Sequence, residues 1–178
     1  SGIVLAMPYI GDTKGVSTYT ILGGAVVIND GPVTAASMSG AGSAIGLYAY
    51  SMYGVGAIHN TGAITAYSYG GLADGLFASG VVADVINSGA IEANGYTWAA
   101  GIETQGSAYV SVQNTGAITA SAMPFVQEVH GGGNVVAGTD GGKAFGIYAT
   151  GGTYGANVIN SGALTVQGSY ATGIEVQS

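Results

Sequence analysis

Apart from tyrosine, this 178-residue chain has nine carboxylates, two histidines and two lysines with which to do acid–base, metal or nucleophilic chemistry. Glycoside hydrolysis would need two carboxyl groups about 5–9.5 Å apart flanking the scissile bond. Glu92 and Glu103 stand in one repeat unit, while Glu103 and Glu175 hold equivalent positions two units apart with Tyr148 between them. No two acids occupy equivalent positions of adjacent units, and no basic partner accompanies them. His59 or His130 could join a Ser/His/Asp set, but serine is so abundant here that any choice of nucleophile is arbitrary. The chain therefore reads as a non-enzyme with no cofactor.

A metal would need its own ligand set. Glu128, His130 and Asp140 are oxygen and nitrogen donors in one segment, 121–142, where Gly138-Thr139-Asp140-Gly141-Gly142 has the look of a calcium-binding turn. Calcium-binding repeat proteins place their Asp in every repeat, whereas this one occurs once, so no metal site is read. The segment reads instead as a surface loop or lateral contact whose residues are Met123, Pro124, Phe125 and His130. Ala122-Met123-Pro124-Phe125-Val126 echoes Ala6-Met7-Pro8-Tyr9-Ile10, which suggests a shared corner packing an aromatic against the wall.

Two neutral chemistries remain. The residues Tyr48, Phe77 and Tyr148 share one column, with Tyr50, Tyr53, Tyr67, Tyr69, Tyr96, Trp98, Tyr109, Tyr154 and Tyr170 in or near turns. Exposed aromatics of this kind stack on sugar rings or enter protein interfaces. Thr34, Thr65, Thr119 and Thr165 form another column, interrupted by Glu92, as in an ice-binding face.

What must position these residues is a repeat. The phrase Asn-x-Gly-x-Ile-x-Ala recurs with variations beginning at Asn29, Asn60, Asn87, Asn114 and Asn160, and Ser1-Gly2-Ile3-Val4-Leu5-Ala6 opens the chain without its Asn. A second phrase alternates with it: Thr13-Lys14-Gly15-Val16, Ala44-Ile45-Gly46-Leu47, Ala73-Asp74-Gly75-Leu76, Ala99-Ala100-Gly101-Ile102, Ala144-Phe145-Gly146-Ile147 and Ala171-Thr172-Gly173-Ile174. Such self-similarity marks a stacked architecture. The units are 1–29, 30–60, 61–87, 88–114, 115–160 with the insertion 121–142, and the partial 161–178, for a basic period of about 27 residues.

Parity identifies the elements, because strand side chains alternate between faces. Val27, Ile58, Val85, Val112 and Val158 form an apolar column, whereas the next position carries Ile28, His59, Ile86, Gln113 or Ile159. Val4, Val33, Ile64, Ile91, Ile118 and Leu164 share parity with Ala6, Ala35, Ala66, Ala93, Ala120 and Val166. No segment has a helical period. The expected fold is an all-β, single-stranded parallel β-solenoid (β-helix), one domain of five full rungs plus a partial one, with three short strands per rung. Asn29, Asn60, Asn87, Asn114 and Asn160 are expected to stack as an amide ladder, and the corner glycines to serve a turn that favours positive φ.

Composition limits the partners. Lys14 and Lys143 are the only basic residues and the net charge is −7, which excludes phosphate-neutralising contacts to nucleic acid. Only 6% of residues are charged, so the coat is neutral and rich in hydroxyl groups, with two sites for trypsin. No stretch reads as a membrane-inserting helix. Absence of Cys suits a reducing cytosol or a bacterial surface held by ladder hydrogen bonds. Ser1-Gly2-Ile3 shows no leader-like pattern, and both ends fall within repeat phrases, so the expectation is either a slice of a longer chain or copies stacking end to end.

Tandem Asn-x-Gly-x-Ile-x-Ala followed by Ala-x-Gly-Ile resembles the passenger regions of bacterial autotransporters and related large surface adhesins, over nearly the whole chain. The resemblance implies a secreted or bacterial cell-surface location, and a stalk or fibre acting in adhesion, aggregation or biofilm. It supplies no catalytic residues. The expected partners are further copies of the same repeats, from the open repeat phrases at both ends, and glycans of host or cell surfaces, from the exposed aromatics. Ice binding or carbohydrate binding is the alternative reading.

Overall fold

The computed structural model describes residues 4–6, 11–38, 40–122 and 142–178. Every strand pairing among them is parallel, and they coil into a β-solenoid of about five turns with three sheet faces. Face A stacks β1 (Val4–Ala6), β4 (Val33–Ser37), β7 (Ile64–Ser68), β9 (Ile91–Gly95), β11 (Ile118–Ala122) and β14 (Leu164–Gly168). Face B stacks β2 (Thr13–Thr20), β5 (Ala44–Ser51), the first halves of β8 (Leu72–Asn87) and β10 (Trp98–Asn114), β12 (Lys143–Gly151) and β15 (Tyr170–Gln177). Face C stacks β3 (Ala25–Asn29), β6 (Val55–Asn60), the second halves of β8 and β10, and β13 (Ala156–Asn160). In two rungs, then, faces B and C are one continuous strand, with a register shift between Gly106 and Tyr109.

The expected columns are the observed registers. Val33 pairs with Ile64, Ile64 with Ile91, Ile91 with Ile118, and Ile118 with Leu164. Val27, Ile58, Val85 and Val112 are buried, while Ile28, His59, Ile86, Gln113 and Ile159 are exposed between or beside them. The core is a narrow column of Val, Ile and Leu, which gives way to Ala99, Ala120, Ala122 and Ala144 at the corner between faces A and B. Each large aliphatic buried there contributes roughly 1.5–3 kcal/mol before the cost of ordering the chain. No helix of the described residues is long and apolar enough to cross a membrane.

The asparagine ladder is continuous. The Nδ2 groups of Asn29, Asn60, Asn87 and Asn114 donate to the Oδ1 of the next Asn at 2.7–2.8 Å, over sequence separations of 31, 27, 27 and 46 residues. Each of these amides, and Asn160, also donates to the carbonyl two residues ahead, at Gly31, Gly62, Gly89, Gly116 and Gly162, 2.6–2.8 Å away. One amide thus ties its own corner shut and locks it to the next rung. The insertion in 115–160 leaves this register untouched.

The corner glycines are required for a reason other than the expected one. Among the described residues, positive φ occurs only at Gly11, Gly23 and Gly155. At Gly62, Gly89, Gly116 and Gly162, a Cβ would instead run into the carbonyl of the corner glycine below and the ladder amide beside it. The glycines of the second phrase are also crowded out of a side chain. A Cβ on Gly46, Gly75 or Gly101 would strike Ile64, Ile91 or Ile118 and the carbonyl of the glycine above.

Two stability predictions follow from this packing. Asn87→Ala removes the donor to Asn114 and Gly89 and the acceptor for Asn60, and each buried group so orphaned costs roughly 1–3 kcal/mol. In urea unfolding followed by circular dichroism, its midpoint should fall well below that of Asn29→Ala, whose site is half-exposed; equal midpoints would show that the ladder contributes little. Gly101→Ala should destabilise by about 1–3 kcal/mol through overpacking against Ile118.

Candidate functional site

The outer surface of face B carries the chemistry, and its columns follow from register. One column runs Ser17, Tyr48, Phe77, Glu103, Tyr148, Glu175, and the next runs Tyr19, Tyr50, Ser79, Gln105, Thr150, Gln177. A third, one step back along the strands, includes Lys14, Ile45, Asp74, Ala100, Phe145 and Thr172. Rings in these columns stack on one another as the rungs do. Tyr19 and Tyr50 lie 5.1 Å apart and 2° from parallel, and Tyr48 and Phe77 lie 5.2 Å apart. Lys14 places its ammonium 3.6 Å from the Tyr48 ring centre, a cation–π contact that occupies one of the two lysines. Burial, and then the neighbouring Tyr50 and Tyr19, push the Tyr48 hydroxyl above its ordinary range.

Beyond Phe77 the face becomes acidic. Asp74 and Glu103 are 3% and 9% exposed and come together diagonally across adjacent rungs, since Asp74 pairs with Ala100 and Glu103 with Phe77. Trp98 Nε1 donates to Asp74 Oδ1 at 3.2 Å, and Gln105 Nε2 donates to Glu103 Oε1 at 2.7 Å. Burial, reinforced by Glu103, raises Asp74 well above the usual carboxylate range, against the pull of the Trp98 N–H. Burial also raises Glu103, opposed by the hydrogen bonds from Gln105 and Trp98. Two carboxyl groups in so little water cannot both ionise cheaply, so burial and mutual repulsion hold the titration of the pair above the usual carboxylate range. Reading the acids column by column misses this pair, because its members occupy different columns.

Trp98 anchors a second aromatic group. Its ring lies 4.6 Å from Phe145 and 5.3 Å from Tyr148, edge-on to the latter, and Phe145 lies 5.0 Å from Tyr148. Between the two aromatic groups runs a cleft of about 460 Å³, lined by Tyr50, Ser79, Gln105, Tyr148, Thr150 and Gln177 together with corner residues such as Met52 and Ser107.

The remaining sequence candidates are placed as follows. The five ladder asparagines are all in the ladder. The only His–carboxylate approach among the described residues is His59 Nε2 to Asp84 Oδ2 at 3.9 Å, on face C. Ser111 pairs with Asp84 while His59 pairs with Ile86, so the serine lies beyond the acid instead of beside the imidazole, and the order of a nucleophilic triad is not met. Thr34, Thr65, Glu92, Thr119 and Thr165 do form one column on face A, but the outward column beside it is Ala36, Tyr67, Asn94, Ser121 and Gln167. Glu92 accepts a hydrogen bond from Asn94 at 2.8 Å. Glu92, Glu103 and Glu175 are therefore dispersed over two faces. Met123, Pro124, Phe125, Glu128, His130 and Asp140, like Met7 and Pro8, lie outside the described residues. Among the described residues no group of three or more His, Asp or Glu could hold a metal ion.

No protein-family model, curated protein or solved structure matches this chain.

The acid pair predicts a pH dependence. Both groups ionise at higher pH in the folded than in the unfolded chain, so their contribution to stability is full below about pH 4 and is lost as pH rises through their raised values. Asp74→Asn keeps an oxygen for Trp98 and removes the repulsion from Glu103. It should raise the neutral-pH Tm, by roughly 2–4 °C for each 1 kcal/mol relieved, and should flatten the fall in Tm between pH 4 and 8. A variant with unchanged neutral-pH Tm and the same pH slope would show that the pair is not strained.

Proposed function

We propose that this chain is a non-catalytic structural and adhesive protein: a stiff β-solenoid stalk or fibre segment, secreted or borne on a bacterial cell surface, whose outer faces make non-covalent contacts with other surfaces. The observation that carries this reading is the asparagine ladder, which runs unbroken through every corner from Asn29 to Asn160. A ladder of this kind favours shape persistence over motion, and shape persistence is what a stalk needs. The coat of few charged residues fits the same role, since it offers trypsin little and presents mostly neutral hydroxyl and amide groups to other surfaces. The repeat phrases that resemble autotransporter passengers and large surface adhesins support it from the sequence side.

Self-association belongs to this proposal. Ile174 and Val176, which continue the core columns of Ile147 and Ala149, are 41% and 48% exposed. Further rungs of the same kind, in the same chain or in a second copy, would bury them and extend all three faces.

The reading is tested with beads coated with the protein, using a scrambled-sequence or unrelated coat as control. Coated beads should clump or settle onto cells, and the coat should survive trypsin. Beads that stay dispersed and bind no cell surface, or a preparation that converts a substrate with turnover, would overturn it.

A further inference from the structure

We infer that the cleft on face B is a binding groove for an extended neutral polysaccharide, a chain of hexose units without carboxylate or sulfate groups. The inference rests on the adhesive reading above and names the chemistry it would use.

The floor of the cleft is one outward column, Tyr50, Ser79, Gln105, Thr150 and Gln177, drawn from five successive rungs. At a strand spacing of about 4.8 Å these span about 19 Å in a straight line along the solenoid axis. That is the shape of a site for several linked sugar rings. A compact small molecule would leave most of it empty.

The groups along the floor are those that recognise sugars. The Gln105 and Gln177 amides and the hydroxyls of Ser79 and Thr150 both donate and accept, as sugar hydroxyls do. The orientation of Gln105 is fixed by its bond to Glu103 Oε1, and that of Gln177 by its bond to Glu175 Oε1, each at 2.7 Å. Both amides are thereby preorganised, with their own carbonyl oxygens left to accept.

The aromatic rings end at the right place. Tyr50 is stacked on Tyr19 from the rung below, but the rung above offers only Ser79, which is too small to cover the second face of the ring. That face closes one end of the groove as a platform for the apolar face of a hexose. Tyr148 flanks the groove farther up, its ring held edge-on by Trp98.

Charge selects the neutral ligand. No lysine lines the groove, Lys14 being over Tyr48, and Glu103 and Glu175 lie just beneath the two amides. An anionic polysaccharide would meet carboxylates here and a net charge of −7. A neutral chain carries no charge for them to repel.

The single tryptophan reports on the site, because Trp98 is in contact with Tyr148. Intrinsic fluorescence titrated with cellohexaose, chitohexaose and mannohexaose should change saturably for at least one, and a sulfated or uronic acid hexamer should leave it flat. Tyr50→Ala and the exposed Gln105→Ala should each weaken binding by roughly tenfold or more, while Ile28→Ala, exposed on face C, leaves it unchanged. Far-UV circular dichroism identical to the parent shows that these variants fold. The inference is overturned if none of the neutral hexamers binds, if the anionic ones bind better, or if both groove variants bind as the parent does. The adhesive reading is scored separately: beads that clump while the hexamers fail to bind sink the groove and leave the adhesin, and the converse sinks the adhesin and leaves the groove.

Discussion

The hydrogen bond from one asparagine amide to the next is the constraint on which the rest of this protein depends. A parallel rung can in principle slip against its neighbour, and a slip of one residue would turn every core side chain outward. The amide prevents this by using both of its N–H groups at once, one on the carbonyl two residues ahead and one on the asparagine of the next rung. Corner shape and rung register are therefore set by a single side chain. The same corner explains why glycine follows two residues later, for a side chain there would enter the space that the ladder and the stacked carbonyls already fill.

Once register is fixed, both the inside and the outside become columns. Inside, the missing side chains of Gly46, Gly75 and Gly101 make room for the isoleucines that fill the core from face A. Outside, repeated aromatics stack into rows, and the places where a row is interrupted acquire meaning. Ser79 opens the face of Tyr50, and Glu103 brings a second carboxyl group against Asp74. The buried acid pair is a local cost within this scaffold; its partners are the indole of Trp98, which contacts Tyr148 at the groove, and the amide of Gln105, which lines it.

Much of this was legible in the residues alone. The alternation of Val27, Ile58, Val85 and Val112 with Ile28, His59, Ile86 and Gln113 identified an inward and an outward column, since period-two burial is a property of any strand. The repeated Asn identified the ladder, since equivalent amides in stacked rungs have nowhere better to bond. Other features were not legible. The corner glycines suggest positive φ to a reader of sequence, whereas close stacking is what requires them, and stacking distance is not written in a single rung. The running-together of faces B and C in β8 and β10 likewise has no mark in the repeat phrases.

The sequence by itself determined the period, the strand parity, the ladder and the near-absence of charge, because each is a property of one residue type recurring at one position. Only the tertiary structure decided that Asp74 meets Glu103, that His59 approaches Asp84 while Ser111 pairs with that acid from the next rung, and that five residues from five rungs line one straight cleft. These are diagonal relations between unlike positions of different rungs. They depend on how far each rung is offset from the last, and that offset exists only after the backbones have paired.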